Sequence, residues 1–260
     1  KFIIDSEVLL GNRISKTLIN KAKKLKLFQN IGAGVDRIDL SLFKSKNIIL
    51  GNSHSNAVFV AEYAIALLFT LLKKIHHHDR LMRNGDWFKP SGEHTDQYFL
   101  SDTIIGKKIG ILGFGGIGKN IAKMLSGFNN QFLVLINDKK RNRSINHNIE
   151  YVDLNILLSN SDILFNTLPL TYKTNKLIGT NQFREISHNA YLINISRAEI
   201  IEKASLFNAL SENKINVIYT EISDTKKNFI EKEKYIIDFL NGYDFELKRK
   251  YQIKSFSILS

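Results

Sequence analysis

Short apolar runs and helical stretches alternate along most of this chain. Phe2-Ile3-Ile4 reads as a strand. Ser15 to Leu25 carries Leu18, Ile19 and Ala22 at helical spacing, with Ser15 placed to cap the first turn. Leu27 to Ile31 reads as a strand running into Gly32-Ala33-Gly34, and Ile48-Ile49-Leu50 as another. From Val58 to about Asn84, the positions Val60, Ala61, Ala64, Leu67, Leu68, Leu71, Leu72 and Ile75 predict one long helix, apolar enough to be buried for most of its first half. Trp87 to Thr103 shows no period and reads as a loop linking two domains. A second series opens at Ile104. Its strands are Lys107 to Leu112, Phe132 to Ile136, Ile163 to Thr167, Tyr191 to Ser196 and Val217 to Tyr219. Helices are expected after the first of these, near Leu154 to Leu158 and near Ala204 to Leu210. Beyond Ser223 charged residues dominate, ahead of a last helix from about Glu231 to Leu240. Strands that alternate with helices predict an α/β fold built on parallel sheets.

One turn in this pattern carries chemistry. Gly113, Gly115 and Gly118 form G-x-G-x-x-G between a strand and a helix. The first glycine permits the tight turn, the second lets backbone approach a pyrophosphate, and the third lets helix and strand pack closely. The helix start then offers free N–H groups and the positive end of its dipole. Asp138 follows the second strand, at the distance where an acid accepts hydrogen bonds from a ribose. The spacing predicts a dinucleotide site. The alternative reading is a plain glycine-rich turn of an α/β domain.

Composition narrows the picture. The 260 residues suffice for one large or two ordinary domains, and 43% hydrophobic with 24% charged residues is the profile of a folded globular chain. Cysteine is absent, which excludes disulfides and thiolate metal sites and accords with a cytoplasmic location. The apolar run Ala64 to Leu72 is too short to span a bilayer, and no signal-peptide pattern opens the chain. The chain enters on a strand pattern without an initiator Met, so it is expected to begin inside a domain. The net charge of +12 attracts anions. The basic residues are dispersed, however, with no arginine-rich arm or basic-aromatic alternation, so nucleic acid is not the expected partner. His76-His77-His78 face different sides of a helix and make a poor metal site; no metal is expected.

Six ordered segments carry a resemblance. They are Asn30 to Leu40 (NIGAGVDRIDL), Asn52 to Ala64 (NSHSNAVFVAEYA), Arg83-Asn84-Gly85-Asp86-Trp87, the glycine turn, Leu168-Pro169-Leu170-Thr171 with Thr174, and Leu192-Ile193-Asn194-Ile195-Ser196-Arg197. In this order they resemble the D-isomer-specific 2-hydroxyacid dehydrogenase family, over about residues 1 to 222. The resemblance implies two Rossmann-like domains with parallel sheets, one flavodoxin-like and one NAD-binding. The substrate domain would be residues 1–75, completed by 236–260. A linking helix end and loop would occupy 76–99, and the NAD-binding domain 100–235. It also implies a homodimer contacted through the long helix.

The implied activity is hydride transfer between NAD and a small D-2-hydroxy acid or 2-oxo acid. Gly32, Ala33 and Gly34 would hold the substrate carboxylate through backbone N–H groups. Gly113, Gly115, Gly116, Ile117 and Gly118 would cradle the pyrophosphate. Asp138 would bind the adenosine ribose and favour NAD, although Lys139, Lys140, Arg141 and Arg143 leave NADP open. Leu168, Pro169, Thr174, Ile195 and Ser196 would line the cofactor crevice, and Glu221 would contact the nicotinamide amide. Arg197 would grip the substrate and polarise its carbonyl, a task suited to a planar, permanently charged fork.

The family's proton-transfer pair is a glutamate and a histidine. By count the glutamate falls near Lys226, and no histidine follows His188. Arg197 precedes Ala198 where the family has glycine. His54 and His94 lie in loops on the substrate-domain side. The alternative function is therefore a dinucleotide-binding homologue with impaired turnover and a regulatory or binding role.

Overall fold

The computed structural model describes residues 4–85, 101–135, 148–212, 214, 215 and 217–219. The chain divides into two compact units, the first ending at Val60 and the second starting at Ala61.

In the first unit, strands β1 (Val8–Gly11), β2 (Leu27–Asn30) and β3 (Ile49–Gly51) form a parallel sheet in that spatial order. Helices α1 (Lys16–Lys21) and α2 (Leu40–Ser45) make the crossovers. Ser15 caps α1 as expected, its Oγ accepting from the Leu18 N–H at 3.2 Å. Asp39 does the same for α2 at Leu42. Alternation puts Leu9, Phe28 and Leu50 on one face of the sheet, where they pack with Ile19, Ala22 and Phe43. Val8, Leu10 and Ile49 lie on the other face and are exposed. Parallel sheets are normally covered on both faces.

Helix α3 (Ala57–Leu72) begins in the first unit and continues into the second. The single long helix expected over 58–84 is in fact two. Helix α4 (Ile75–Arg83) follows after Lys74, which adopts a left-handed conformation at φ 50°. Two contacts account for the break. The Leu72 carbonyl accepts from the Asp102 N–H at 2.9 Å, and Lys73 Nζ donates to the Asp102 carbonyl at 2.7 Å. With Asp102 holding the end of α3, the chain turns and restarts.

The second unit holds six parallel strands: β4 (Lys108–Leu112), β5 (Gln131–Leu135), β6 (Ile149–Val152), β7 (Ile163–Asn166), β8 (Tyr191–Asn194) and β9 (Val217–Tyr219). Their spatial order is β6-β5-β4-β7-β8-β9. Helices α5 (Gly116–Leu125), α6 (Leu154–Asn160), α7 (Thr180–Glu185) and α8 (Lys203–Ser211) connect them. Ile109, Ile111, Phe132, Val134, Ile163, Phe165 and Ile193 face one side, packed with α5 and with Ala61, Ala64, Leu67, Leu68 and Leu72 of α3. Leu112, Leu133, Leu164 and Leu192 face the other, packed with α6, α7 and α8. Both faces are covered, so the inner strands β4, β5, β7 and β8 are apolar over most of their length instead of alternating, whereas β6 keeps Glu150 exposed.

Strands β1 and β6 and helices α2 and α7 have no counterpart in the sequence reading; each is four to six residues long, too short for a periodic signal. Strands β7 and β8 end earlier than expected, at Asn166 and Asn194. Each asparagine accepts from the backbone N–H two residues on, Leu168 at 3.2 Å and Ser196 at 3.1 Å. These Asx turns bend the chain out of the ladder. The expected strand at Phe2, the 87–103 linker apart from its last residues, and the final helix lie outside the described residues.

Candidate active site

Ligands of open α/β sheets bind at the carboxyl ends of the strands, where the strand order reverses. Here that point lies between β4 and β7. Gly113 leaves β4 with φ at +96°, a conformation that disfavours any side chain. Gly118 packs its α-carbon on the same turn: a Cβ there would lie 2.4 Å from the Gly113 carbonyl oxygen. Gly115 differs from both. A Cβ on it would meet no atom within 4 Å, so the space before it is open.

Gly115 is also the N-cap of α5 and has no side-chain cap hydrogen bond, and the first turn carries no acidic residue. Gly116 and Ile117 follow in that turn. The N–H groups and positive dipole end of α5 therefore face open space without a side chain competing for them. A pyrophosphate fits such a cradle in both charge and room.

Beside the cradle, Thr167 ties β7 to β4. Its Oγ1 donates to the Gly113 carbonyl at 2.6 Å, and its N–H donates to the Leu112 carbonyl at 2.9 Å. Leu168 is buried, and the Thr174 hydroxyl holds the following turn by donating to the Pro169 carbonyl at 2.6 Å. Ser196 Oγ donates to the Leu168 carbonyl, joining the ends of β7 and β8. Ile195 is partly buried against the α3 and α5 side of the core. Arg197 follows at the carboxyl edge, half-buried with an extended backbone, and its Nη1 donates to the Ser196 carbonyl at 3.3 Å.

In the first unit, Gly32-Ala33-Gly34 follows β2 at the carboxyl edge of its sheet. Asn30 Nδ2 donates to the carbonyls of Gly32 and Gly34 at 2.8 and 2.9 Å, and Asn52 Nδ2 donates to that of Ala33 at 2.8 Å. Three carbonyls are thus taken by side-chain amides. Among the described residues, nothing accepts from the N–H groups of Gly32, Ala33 or Gly34. Asn52 Nδ2 also lies 3.3 Å from His54 Nε2.

Asp138, Lys139, Lys140, Arg141, Arg143, Glu221, Lys226 and His94 lie outside the described residues, as do 236–260. Among the described residues, no group of three His, Asp or Glu could hold a metal ion, and no helix is long and apolar enough to cross a membrane. Asn30, Thr167, Asn166 and Asn194 are absent from the sequence-based site. Their signal was present for the last two: Ile-Leu-Phe-Asn and Tyr-Leu-Ile-Asn each end an apolar strand on the same amide.

A doubly wound, six-stranded parallel sheet with an open glycine turn at its switch point defines a Rossmann dinucleotide-binding domain. Residues 65–238 match the family model described as D-isomer specific 2-hydroxyacid dehydrogenase, NAD binding domain. The chain belongs to that family.

It is 33% identical over 205 residues to a glyoxylate reductase of Pyrococcus horikoshii, covering 78% of this chain and 61% of that protein. Among solved structures it is similar to an acyclic imino acid reductase in complex with NADPH and D-Arg, with a TM-score of 0.73 and 29% identity over 86% of this chain and 70% of that one. The D-lactate dehydrogenase of Aquifex aeolicus, complexed with NAD and lactic acid, shares the fold at a TM-score of 0.74 and 21% identity, covering 98% of this chain and 71% of that one. The chain spans about three fifths of the length of the curated relatives it matches first.

Proposed function

We propose that this protein is an NAD-dependent oxidoreductase that interconverts a small D-2-hydroxy acid and its 2-oxo acid. The observation that carries the reading is Arg197: a guanidinium at the carboxyl edge of β8, joined through Ser196, Leu168 and Thr167 to the turn that holds Gly113. The similar imino acid reductase in complex with NADPH and the matched NAD-binding family domain support a nicotinamide cofactor. When bound, that cofactor supplies or accepts a hydride.

This chain's residues have the following roles in the proposal. Gly113, Gly115, Gly116, Ile117 and Gly118 hold the pyrophosphate at the start of α5. Leu168, Pro169, Thr174, Ile195 and Ser196 line the crevice beside it. Asp138 binds the ribose and Glu221 the nicotinamide amide. The N–H groups of Gly32, Ala33 and Gly34 bind the substrate carboxylate; their lack of an acceptor among the described residues supports this. Arg197 donates a fork of N–H groups to the substrate and draws charge onto its carbonyl oxygen, which favours hydride arrival at C2.

The domain division follows the same reading: 1–75 with 236–260 as substrate domain, 76–99 as link, and 100–235 as cofactor domain. Homodimerisation through the α3 region is part of the proposal, supported by the exposed Phe59, Ile75 and Met82 on α3 and α4. Sedimentation or light scattering at micromolar concentration tests it, and a monomer rejects it. The absence of cysteine supports a cytoplasmic location.

The test of function is NADH and NADPH oxidation with glyoxylate, pyruvate and hydroxypyruvate, run beside NADH binding by fluorescence. Turnover that Arg197→Ala abolishes is the expected result. Binding without turnover of any 2-oxo acid rejects the enzyme and leaves a dinucleotide-binding homologue. Within these 260 residues no histidine follows His188, and transfer of the proton by a positioned side chain contributes about 10²–10⁴-fold, so the turnover rate itself decides between the two readings.

A further inference from the structure

Two asparagines sit side by side in the floor of the candidate site. Asn166 and Asn194 are the last residues of β7 and β8 and are register partners in the parallel ladder. Both are fully buried. An apolar residue at either place would pack equally well in a sheet covered on both faces. Burying a carboxamide is unfavourable unless its groups are hydrogen-bonded, and here they are.

Asn166 Nδ2 donates to Asn194 Oδ1 at 3.0 Å, and Asn194 Oδ1 also accepts from the Ser196 N–H at 3.1 Å. Asn166 Oδ1 accepts from the Leu168 N–H at 3.2 Å. Asn194 Nδ2 donates to the Arg197 carbonyl at 3.1 Å. The Arg197 carbonyl also accepts from the Ile200 N–H at 3.3 Å, starting the short 3-10 turn at Ala198–Ile200. The pair therefore fixes two backbone segments at once, the Leu168 edge and the Ser196-Arg197 edge. Thr167 extends the same brace to Gly113.

We propose that Asn194, oriented by Asn166, is a positioning residue for Arg197, setting the backbone from which the guanidinium reaches the substrate. The inference rests on Arg197 binding the 2-oxo acid. Asn194 touches neither substrate nor cofactor in this reading; it acts through the Arg197 carbonyl and the Ser196 N–H. A small displacement of a substrate-gripping group lowers turnover steeply, whereas Gly115, Gly116 and Ile117 at the start of α5 make no hydrogen bond to Asn194, so the cofactor is affected less than the substrate.

The test is a double-mutant cycle in the full chain, with Asn194→Ala and Arg197→Ala singly and together. Three quantities are read: kcat/KM for glyoxylate, oxalate binding to the NADH-loaded protein by calorimetry, and NADH affinity by fluorescence. Asn194→Ala is expected to lower kcat/KM by about 10- to 100-fold and to weaken oxalate in parallel. NADH affinity falls by a smaller factor than oxalate affinity, and the effect on oxalate vanishes when Arg197 is already alanine.

An Asn194→Ala loss of oxalate affinity that persists in the Arg197→Ala chain overturns the proposal, as does an equal loss of NADH affinity. If Asn194→Ala does not fold, Asn166→Ala removes two bonds of the brace, those to Asn194 Oδ1 and from the Leu168 N–H, leaves the bond from Asn194 to the Arg197 carbonyl, and is read in the same cycle. A wild-type chain that binds NADH but neither binds oxalate nor reduces glyoxylate rejects the substrate reading itself, and this inference with it.

Discussion

Gly118 sits so close to Gly113 that a single methyl group does not fit between them: a Cβ on Gly118 would stand 2.4 Å from the Gly113 carbonyl oxygen. The close approach seats α5 on β4 and brings the start of the helix to the turn. Alanine at Gly118 must push backbone against backbone, and is expected to destabilise the fold by about 1–3 kcal/mol and to weaken NADH. Urea denaturation with NADH fluorescence measures both.

Gly115→Ala should separate folding from binding. Its Cβ would enter open space and its φ of −82° suits any residue, so the urea midpoint is expected to stay at the wild-type value. NADH affinity is expected to fall by about tenfold or more, because the methyl group occupies the approach to the pyrophosphate. A variant with unchanged NADH affinity would remove Gly115 from the cofactor site.

Arg197→Lys keeps the charge and loses the fork. A lysine ammonium cannot donate in a plane to a carboxylate and a carbonyl together. Glyoxylate kcat/KM is expected to drop by about 10²-fold, with NADH affinity unchanged. Steady-state kinetics against equilibrium titration checks the split; equal loss of both would place Arg197 in the cofactor site instead.

At the opposite, amino end of β8, Tyr191 meets Asp102. Burial, then the charge of Asp102 and a hydrogen bond to it, push the Tyr191 phenol up to about 12 from an ordinary value of 10.0. For Asp102, burial works to raise the carboxyl, but the Lys107 ammonium at 3.0 Å and the Thr103 N–H outweigh it and hold it below the usual range. A phenol raised in the folded state adds stability that is fully present below pH about 10 and is lost as pH climbs through about 12. Urea stability measured from pH 9 to 12 is expected to fall more steeply in wild type than in Tyr191→Phe. Parallel curves would show that the pair has no part in alkaline unfolding.

Asn130 braces the entry to β4. Its Nδ2 donates to the carbonyls of Ile104 and Lys107 at 2.6 and 3.0 Å, and the residue is buried. Asn130→Ala leaves both carbonyls without that donor and is expected to cost about 1–3 kcal/mol in urea denaturation while NADH affinity holds. Loss of affinity at unchanged stability would contradict a purely structural role.

Much of this architecture was legible in the chain because it is local. Strand runs such as Ile163 to Phe165 and helix starts such as Ser15 are set by the period of the side chains and by one capping hydroxyl. The glycine turn was legible for the same reason: three glycines within six residues share one turn, and their spacing alone predicts where a helix can meet a strand.

Other features depend on residues far apart in sequence. The break at Lys74 was hidden because apolar spacing continues to Ile75; what ends α3 is Asp102, which takes the Leu72 carbonyl. Asn166 and Asn194 are 28 residues apart, and nothing in either strand alone says that they are register partners. By itself the sequence determined the alternation of strand and helix, the glycine cradle and Arg197 at a strand end, since periodicity and turn chemistry act over a few residues. Only the tertiary structure decided that β4 and β7 adjoin at the switch point, and that two buried amides join their edge to Arg197. Strand order and cross-strand hydrogen bonds exist only once distant segments pack together.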